Sequence, residues 1–338
     1  MNTRLIAVFA VFKCIIAQNQ WSKILVTNGA PWGYSTKVEI IDLHDESNIC
    51  QNLLDFPLQL FGATAGLSRV LDRYAALVCG GIQPSGLQVD PRCYTVYEDA
   101  TTVIGMSEHR AYPSAIMINA TNIWVTGGLF YDNGYELTST TDIIDAEYKT
   151  HVRGPELPIK LQRHCAVSID KNTVMITGGF VTTGLPNWVA SSSTFFYHFD
   201  TNQWTRGPDL NVARGEFGCS LLSKSNGESY VVVTGGANGG DWGSLKSTEI
   251  FDFQLNQWIV GPDLPTGISA HAMVSMTNKV YVIGGGQKQG EFTINLDRIY
   301  ELDEDIFAWK EMKQRLKYAR RWIVALAVPD SMTKCSNE

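Results

Sequence analysis

Charge is scarce in this chain. Asp, Glu, Lys and Arg make up 18% of its 338 residues, against about 25% in a typical soluble domain. What charge there is leans acidic, with 27 basic against 34 acidic side chains and a formal net charge of −7. With no basic surplus, phosphate backbones and anionic membrane surfaces lose their main electrostatic attraction, which argues against nucleic-acid binding. No apolar run reaches the roughly 20 residues needed to span a bilayer, so membrane insertion is not expected. Cysteines show no close CxxC pair and no Cys–His cluster, which removes the usual structural zinc sites. The sequence also lacks a G-x-S-x-G elbow, a phosphate-binding loop and a dinucleotide fingerprint. Hydrophobic residues at 44% and 30 glycines point instead to a sheet-rich, turn-rich globular protein with a large core.

The N-terminus carries Arg4 ahead of an apolar run from Leu5 to Phe12, which resumes after Lys13 and ends at Ala17 before polar Gln18, Asn19 and Gln20. This pattern reads as a secretory signal peptide over residues 1–17. The competing readings are a buried N-terminal strand and a short membrane anchor. Removing it leaves six cysteines, Cys50, Cys79, Cys93, Cys165, Cys219 and Cys335, an even number suited to an oxidising compartment. Cys79 and Cys93 flank a long hairpin loop and are expected to pair across adjacent strands. Cys50 and Cys335 form a second candidate pair locking the termini, and Cys165 and Cys219 read as buried free thiols. Asn119-Ala120-Thr121 is a glycosylation sequon, meaningful in a secreted protein.

Internal repetition is the strongest signal. Short β-branched runs end in glycine doublets at 80–81, 127–128, 178–179, 235–236 and 284–285, with a degenerate Asn28-Gly29 copy ahead of them. Successive copies lie about 50 residues apart. Each doublet is followed by a variable loop, a second strand and then an aromatic-plus-turn segment, as in Asn202-Gln-Trp204-Thr-Arg-Gly207-Pro208 and Asn256-Gln-Trp258-Ile-Val-Gly261-Pro262. A fourth strand precedes the next doublet. Four short strands per unit cannot bury both faces of a sheet alone, so the units must stack as propeller blades. These residues resemble the Kelch repeat. The resemblance covers nearly all of residues 21–329, leaving 330–338 as a tail, and implies an all-β fold: a six-bladed β-propeller with four antiparallel strands per blade. Blade one lacks an inner strand while Trp322 to Val328 is left over after blade six. The C-terminal strand should therefore join blade one and close the wheel. Trp204, Trp258 and Trp309 are placed to wedge between neighbouring sheets.

The loops after the doublets and those leading into the inner strands should share one face. Aromatic residues on that face, Trp32, Tyr34, Tyr131, Tyr135, Trp188, Trp242 and Phe292, are candidate ligand contacts, because aromatics dominate binding hot spots. Packing of the loops onto the wheel is the equally weighted alternative for each. Arg110, Arg214 and Arg320, with Glu216, precede inner strands and are candidate carboxylate-recognising groups. The competing role for them is bracing neighbouring loops. Asn119 belongs to a turn on the opposite face.

Six scattered histidines, His44, His109, His151, His164, His198 and His271, give no basis for the copper site of galactose-oxidase-like relatives of the same scaffold. A carbohydrate-acting enzyme similar to six-bladed sialic-acid mutarotases remains the enzymatic alternative. The favoured expectation is a secreted binding module with no cofactor, whose partner is an extracellular protein or glycan.

Overall fold

The computed structural model describes residues 21–332, apart from 30–35, 45–48, 51–54, 71–72, 85–87, 97–100, 132–133, 185–186, 240–242, 277 and 304–306. Six four-stranded antiparallel sheets form a propeller. Blade two is typical, running from the channel outward as Thr64–Val70, Arg73–Cys79, Arg92–Val96 and Thr101–Gly105. Blades three to six repeat this order with inner strands Ser114–Met117, Cys165–Ser168, Gly218–Ser223 and Ala272–Met276. Blade one is made from both ends of the described chain. Val324–Val328 is its innermost strand and pairs antiparallel with Lys23–Thr27, Leu25 facing Leu326. The closure expected from strand counting is therefore observed.

Second strands are the most buried elements, because each is flanked within its sheet and covered by a neighbouring blade on both faces. Val231, Val232 and Val233 are all fully buried, which accounts for the continuous β-branched runs in the sequence. The doublets end these strands where the chain passes close beside the next blade. Gly80 has φ +66°, and a Cβ there would lie 2.3 Å from the carbonyl oxygen of Arg110. Only glycine fits that approach, and it lets the Gly81 N–H donate to the same carbonyl at 2.7 Å.

Blades meet through the expected tryptophans at two seams. The Trp258 Nε1–H donates to the Pro208 carbonyl at 3.1 Å, and that of Trp309 to the Pro262 carbonyl at 3.0 Å, each reaching the preceding blade. Trp204 departs from this pattern. Trp124 of blade three packs 6.0 Å from it, the Thr141 hydroxyl takes the Pro155 carbonyl, and both indole N–H groups stay buried without a partner.

Two disulfides are present. Cys79 and Cys93 face each other across adjacent strands of blade two, Cα atoms 4.0 Å apart, as expected. Cys165 and Cys219 are not free thiols. They are bonded, with Cα atoms 6.0 Å apart, and tie the inner strands of blades four and five. Neighbouring inner strands converge on the channel, so a one-position offset in sequence brings the two sulfurs together. The candidate Cys50–Cys335 pair lies outside the described side chains, as do residues 1–17.

Candidate functional site

Four of the post-doublet segments form hairpins. Ile82–Gln83 pairs with Gln88–Val89, Leu129–Tyr131 with Tyr135–Leu137, Phe180–Gly184 with Asn187–Ala190, and Gly286–Gln289 with Phe292–Asn295. Single bridges fasten each hairpin to the segment entering an inner strand, for example Ala111 to Leu129 and Gln162 to Phe180. All of this lies at the doublet end of the strands. Asn119 sits at the other end, in the turn between the first two strands of blade three, where its side-chain carbonyl accepts from the backbone N–H groups of Thr121 and Asn122.

Three of the candidate ligand contacts are structural. Arg110, Arg214 and Arg320 are fully buried. Arg110 donates to the carbonyls of Gly127 and Thr140 and pairs with Asp142 at 2.8 Å. Arg214 does the same with Gly235, Ser247 and Glu249, the ion pair again 2.8 Å long. Arg320 bonds the carbonyls of Asn28 and Lys37 and pairs with Glu39. Burial pushes all three guanidinium pKa values down and the paired carboxylates oppose it. Each arginine thus braces the first carbonyl of a doublet and has no surface to offer a ligand. The equivalent positions in blades two, four and six hold Leu60, Leu161 and Ile268, also buried, so arginine and aliphatic braces alternate around the wheel. The acid is present only where the arginine is: the aromatic residues Tyr94, Phe195 and Tyr300 hold the equivalent register positions in the blades with aliphatic members.

The residues that do reach the mouth of the channel lie two positions beyond these braces. Gly62, Tyr112, Arg163, Glu216, Ala270 and Trp322, one per blade, all have φ between +53° and +65°. Five backbone hydrogen bonds link them into a belt: Tyr112 donates to Gly62, Arg163 to Tyr112, Glu216 to Arg163, Ala270 to Glu216 and Trp322 to Ala270, at 2.6–3.2 Å. Left-handed backbone at bulky residues is costly and clusters at functional sites. Here it turns the side chains across the mouth. Glu216 accepts from Arg163 and from the Trp322 indole at 2.9 Å. The Arg163 guanidinium lies 3.9 Å from the Tyr112 ring centre, and that of Arg321 lies 4.4 Å from the Trp322 ring centre. Beneath the belt, the channel narrows to a cavity of about 260 Å³ walled by inner-strand residues such as Ala115, Ala166, Cys219 and Ala325.

No family model matches the chain. Over 207 residues it is 27% identical to Kelch-like protein 36 of Mus musculus, covering 61% of this chain and 32% of that protein. An F-box/kelch-repeat protein of Arabidopsis thaliana is 31% identical over 136 residues, 40% of this chain and 33% of that one. The chain therefore spans about a third of the length of the curated relatives it matches. Among solved structures, YjhT superposes with a TM-score of 0.69 at 13% identity, covering 86% of this chain and 94% of that one. The fold is thus a Kelch-type six-bladed propeller.

Of the remaining candidate contacts, Tyr131 and Phe292 project from hairpin tips, 54% and 74% exposed. Tyr135 packs edge-on to Tyr131, and Trp188 is half-buried between the hairpins and the mouth. Glu216 is in the belt. Trp32, Tyr34 and Trp242 lie outside the described residues. Not singled out by the sequence are Val189 and Ile294, both exposed on the same hairpins, and Trp322. A cue existed in the Gln162-Arg163 and Arg321-Trp322 dipeptides, which place large polar and aromatic groups where blade two has glycine. Among the described residues, no cluster of three or more His, Cys, Asp or Glu side chains could hold a metal ion, and no helix is long and apolar enough to cross a membrane.

Proposed function

We propose that the chain is a secreted Kelch-type interaction module that docks an extracellular protein or glycan on its hairpin face. The observation carrying this reading is the rim of exposed Tyr131, Val189, Phe292 and Ile294 surrounding a charged, aromatic mouth. Exposed aromatic and aliphatic groups around a central polar pocket match the anatomy of binding surfaces. Two disulfides support an oxidising destination, in keeping with the apolar N-terminal run. A glycan on Asn119 would leave the hairpin face clear. The mutarotase-like alternative relied on Arg110, Arg214 and Arg320 converging in an open pocket, and their burial removes that support.

The test is cross-linked capture from extracellular fluid with the wild-type protein and a Tyr131→Ala/Phe292→Ala variant, which alters only exposed side chains. A partner captured by the wild type and lost by the variant supports the hairpin face. Equal capture by both rejects it.

A further inference from the structure

Asn119-Ala120-Thr121, the one glycosylation sequon of the chain, forms the turn between the first two strands of blade three, at the end of the wheel away from the hairpins. The Asn119 Oδ1 accepts from the backbone N–H groups of Thr121 at 2.9 Å and Asn122 at 2.8 Å, with the Thr121 hydroxyl 3.3 Å away. Its Nδ2 donates to none of the described residues and stays open to solvent. The turn is pinned in place by blade two, where the Arg69 N–H donates to the Ala120 carbonyl at 2.6 Å and the Ser68 hydroxyl to the Thr121 carbonyl at 2.7 Å. Asn119 therefore cannot swing outward, and it borders the central channel together with Ser168, Ser223, Asn278 and Lys279 from the turn ends of blades four to six. These residues make a polar rim, whereas the deeper wall is built from residues such as Ala115, Ala166 and Ala325.

We propose that Asn119 carries an N-linked oligosaccharide that covers the turn-end mouth of the channel and leaves the hairpin end as the accessible one. The donor is an oligosaccharide joined to a lipid pyrophosphate. Nδ2 attacks the anomeric carbon, the new C–N bond forms as the C–O bond to the pyrophosphate breaks, the lipid pyrophosphate leaves with the electron pair, and one amide proton passes to a base. Hydrogen bonds to the side-chain oxygen favour the amide that has given up its proton, and Asn119 Oδ1 receives two from the backbone. Such an Asx turn is set by neighbouring residues alone, so it forms before the blades assemble. In the folded wheel the same turn fixes the root of the saccharide at the channel edge, where the hydroxyl-rich chain meets the polar rim rather than an apolar surface.

This inference rests on the chain being secreted, and the experiment separates the two. The full chain is expressed in cultured animal cells, and protein from the medium and from the cells is weighed intact by mass spectrometry. Peptides are then mapped after a glycan-removing amidase has acted in heavy-oxygen water. The secreted protein should carry a saccharide mass, and Asn119 should become labelled aspartate when it is removed. Thr121→Ala should lose that mass and Thr121→Ser should keep it. Asn119→Asp should also lose it while retaining the oxygen that caps the turn, which separates loss of the acceptor from misfolding. Covering of the mouth is read with a bulky amine reagent. Labelling of Lys279, at the channel rim, should be lost relative to Lys288 of the hairpin Gly286–Gln289, and should return once the saccharide is removed. Unmodified Asn119 on protein recovered from the medium would overturn the site and leave secretion standing. A chain kept unmodified in the cytosol would overturn both. Equal Lys279 labelling before and after removal would overturn the covering of the mouth.

Discussion

Arg320 and Glu39, 281 residues apart in sequence, form a buried ion pair at the point where the two ends of the chain meet in blade one. The pair fastens the closing segment to the third strand of that blade, alongside the backbone ladder of Val324–Val328 with Lys23–Thr27. Removing one partner strands a charge away from water. Arg320→Leu should cost about 3–5 kcal/mol. Arg320→Leu with Glu39→Phe imitates the Leu161 and Phe195 arrangement of blade four and should recover most of that loss, because a buried ion pair and a well-packed apolar pair differ little in net stability. Urea denaturation of the two singles and the double closes the cycle. A double variant as unstable as the sum of the singles would refute the equivalence.

Stability should fall steeply in mild acid. His164 and His271 are enclosed, and burial depresses their pKa values to about 3 and about 4. In the unfolded chain both titrate near about 6.5. Between these limits the unfolded state binds protons that the folded state refuses. The stabilisation is thus complete above about pH 6.5 and declines as the pH drops toward the folded values, by about 1.4 kcal/mol per pH unit for each histidine. His164→Gln and His271→Gln variants should each flatten the slope of denaturation free energy between pH 6 and pH 4, as sampled by urea melts.

The two disulfides should differ in accessibility. Cys79 and Cys93 are fully buried within blade two, whereas Cys219 is partly exposed on the channel wall. Under native conditions a dithiol reductant should open Cys165–Cys219 first. Maleimide labelling and peptide mapping after brief reduction would show modified Cys165 and Cys219 with Cys79 and Cys93 intact, and the reverse order would contradict the placement. A Cys165→Ala/Cys219→Ala variant should lose about 4 kcal/mol, the chain-entropy value for a loop of this length.

The seam between blades three and four should respond unlike the next two. Trp258→Phe removes a bond to the Pro208 carbonyl and should cost about 1 kcal/mol beyond the change in packing. Trp204→Phe deletes an indole N–H that has no partner and should be neutral or mildly stabilising. Thermal melts of the two variants decide the point.

Much of the wheel is legible in the sequence because its periodic features are local. A glycine doublet after an apolar run marks where a Cβ would strike the next blade, so Gly80 and its equivalents report close approach directly. The orphan strand after blade six signals closure by simple strand counting. The site is far less legible. The belt residues Tyr112, Arg163, Glu216 and Trp322 adopt left-handed backbone without being glycine, and nothing in their composition announces it. Arg110, Arg214 and Arg320 look like recognition groups, yet their acids lie on other strands and, for Arg320, at the other end of the chain. The Cys165–Cys219 bond was obscured by the same non-locality, since the convergence of inner strands at the channel depends on the tilt of whole blades.

The alternation of braces has one more implication. Arginine with an acid occupies blades one, three and five, and aliphatic residues occupy blades two, four and six, so the chemistry repeats every two blades while the backbone repeats every one. Inserting or deleting a single blade would set two arginine-braced blades, or two aliphatic ones, side by side. The wheel can change size and keep this alternation only in steps of two, which makes the blade pair, not the blade, its unit of growth.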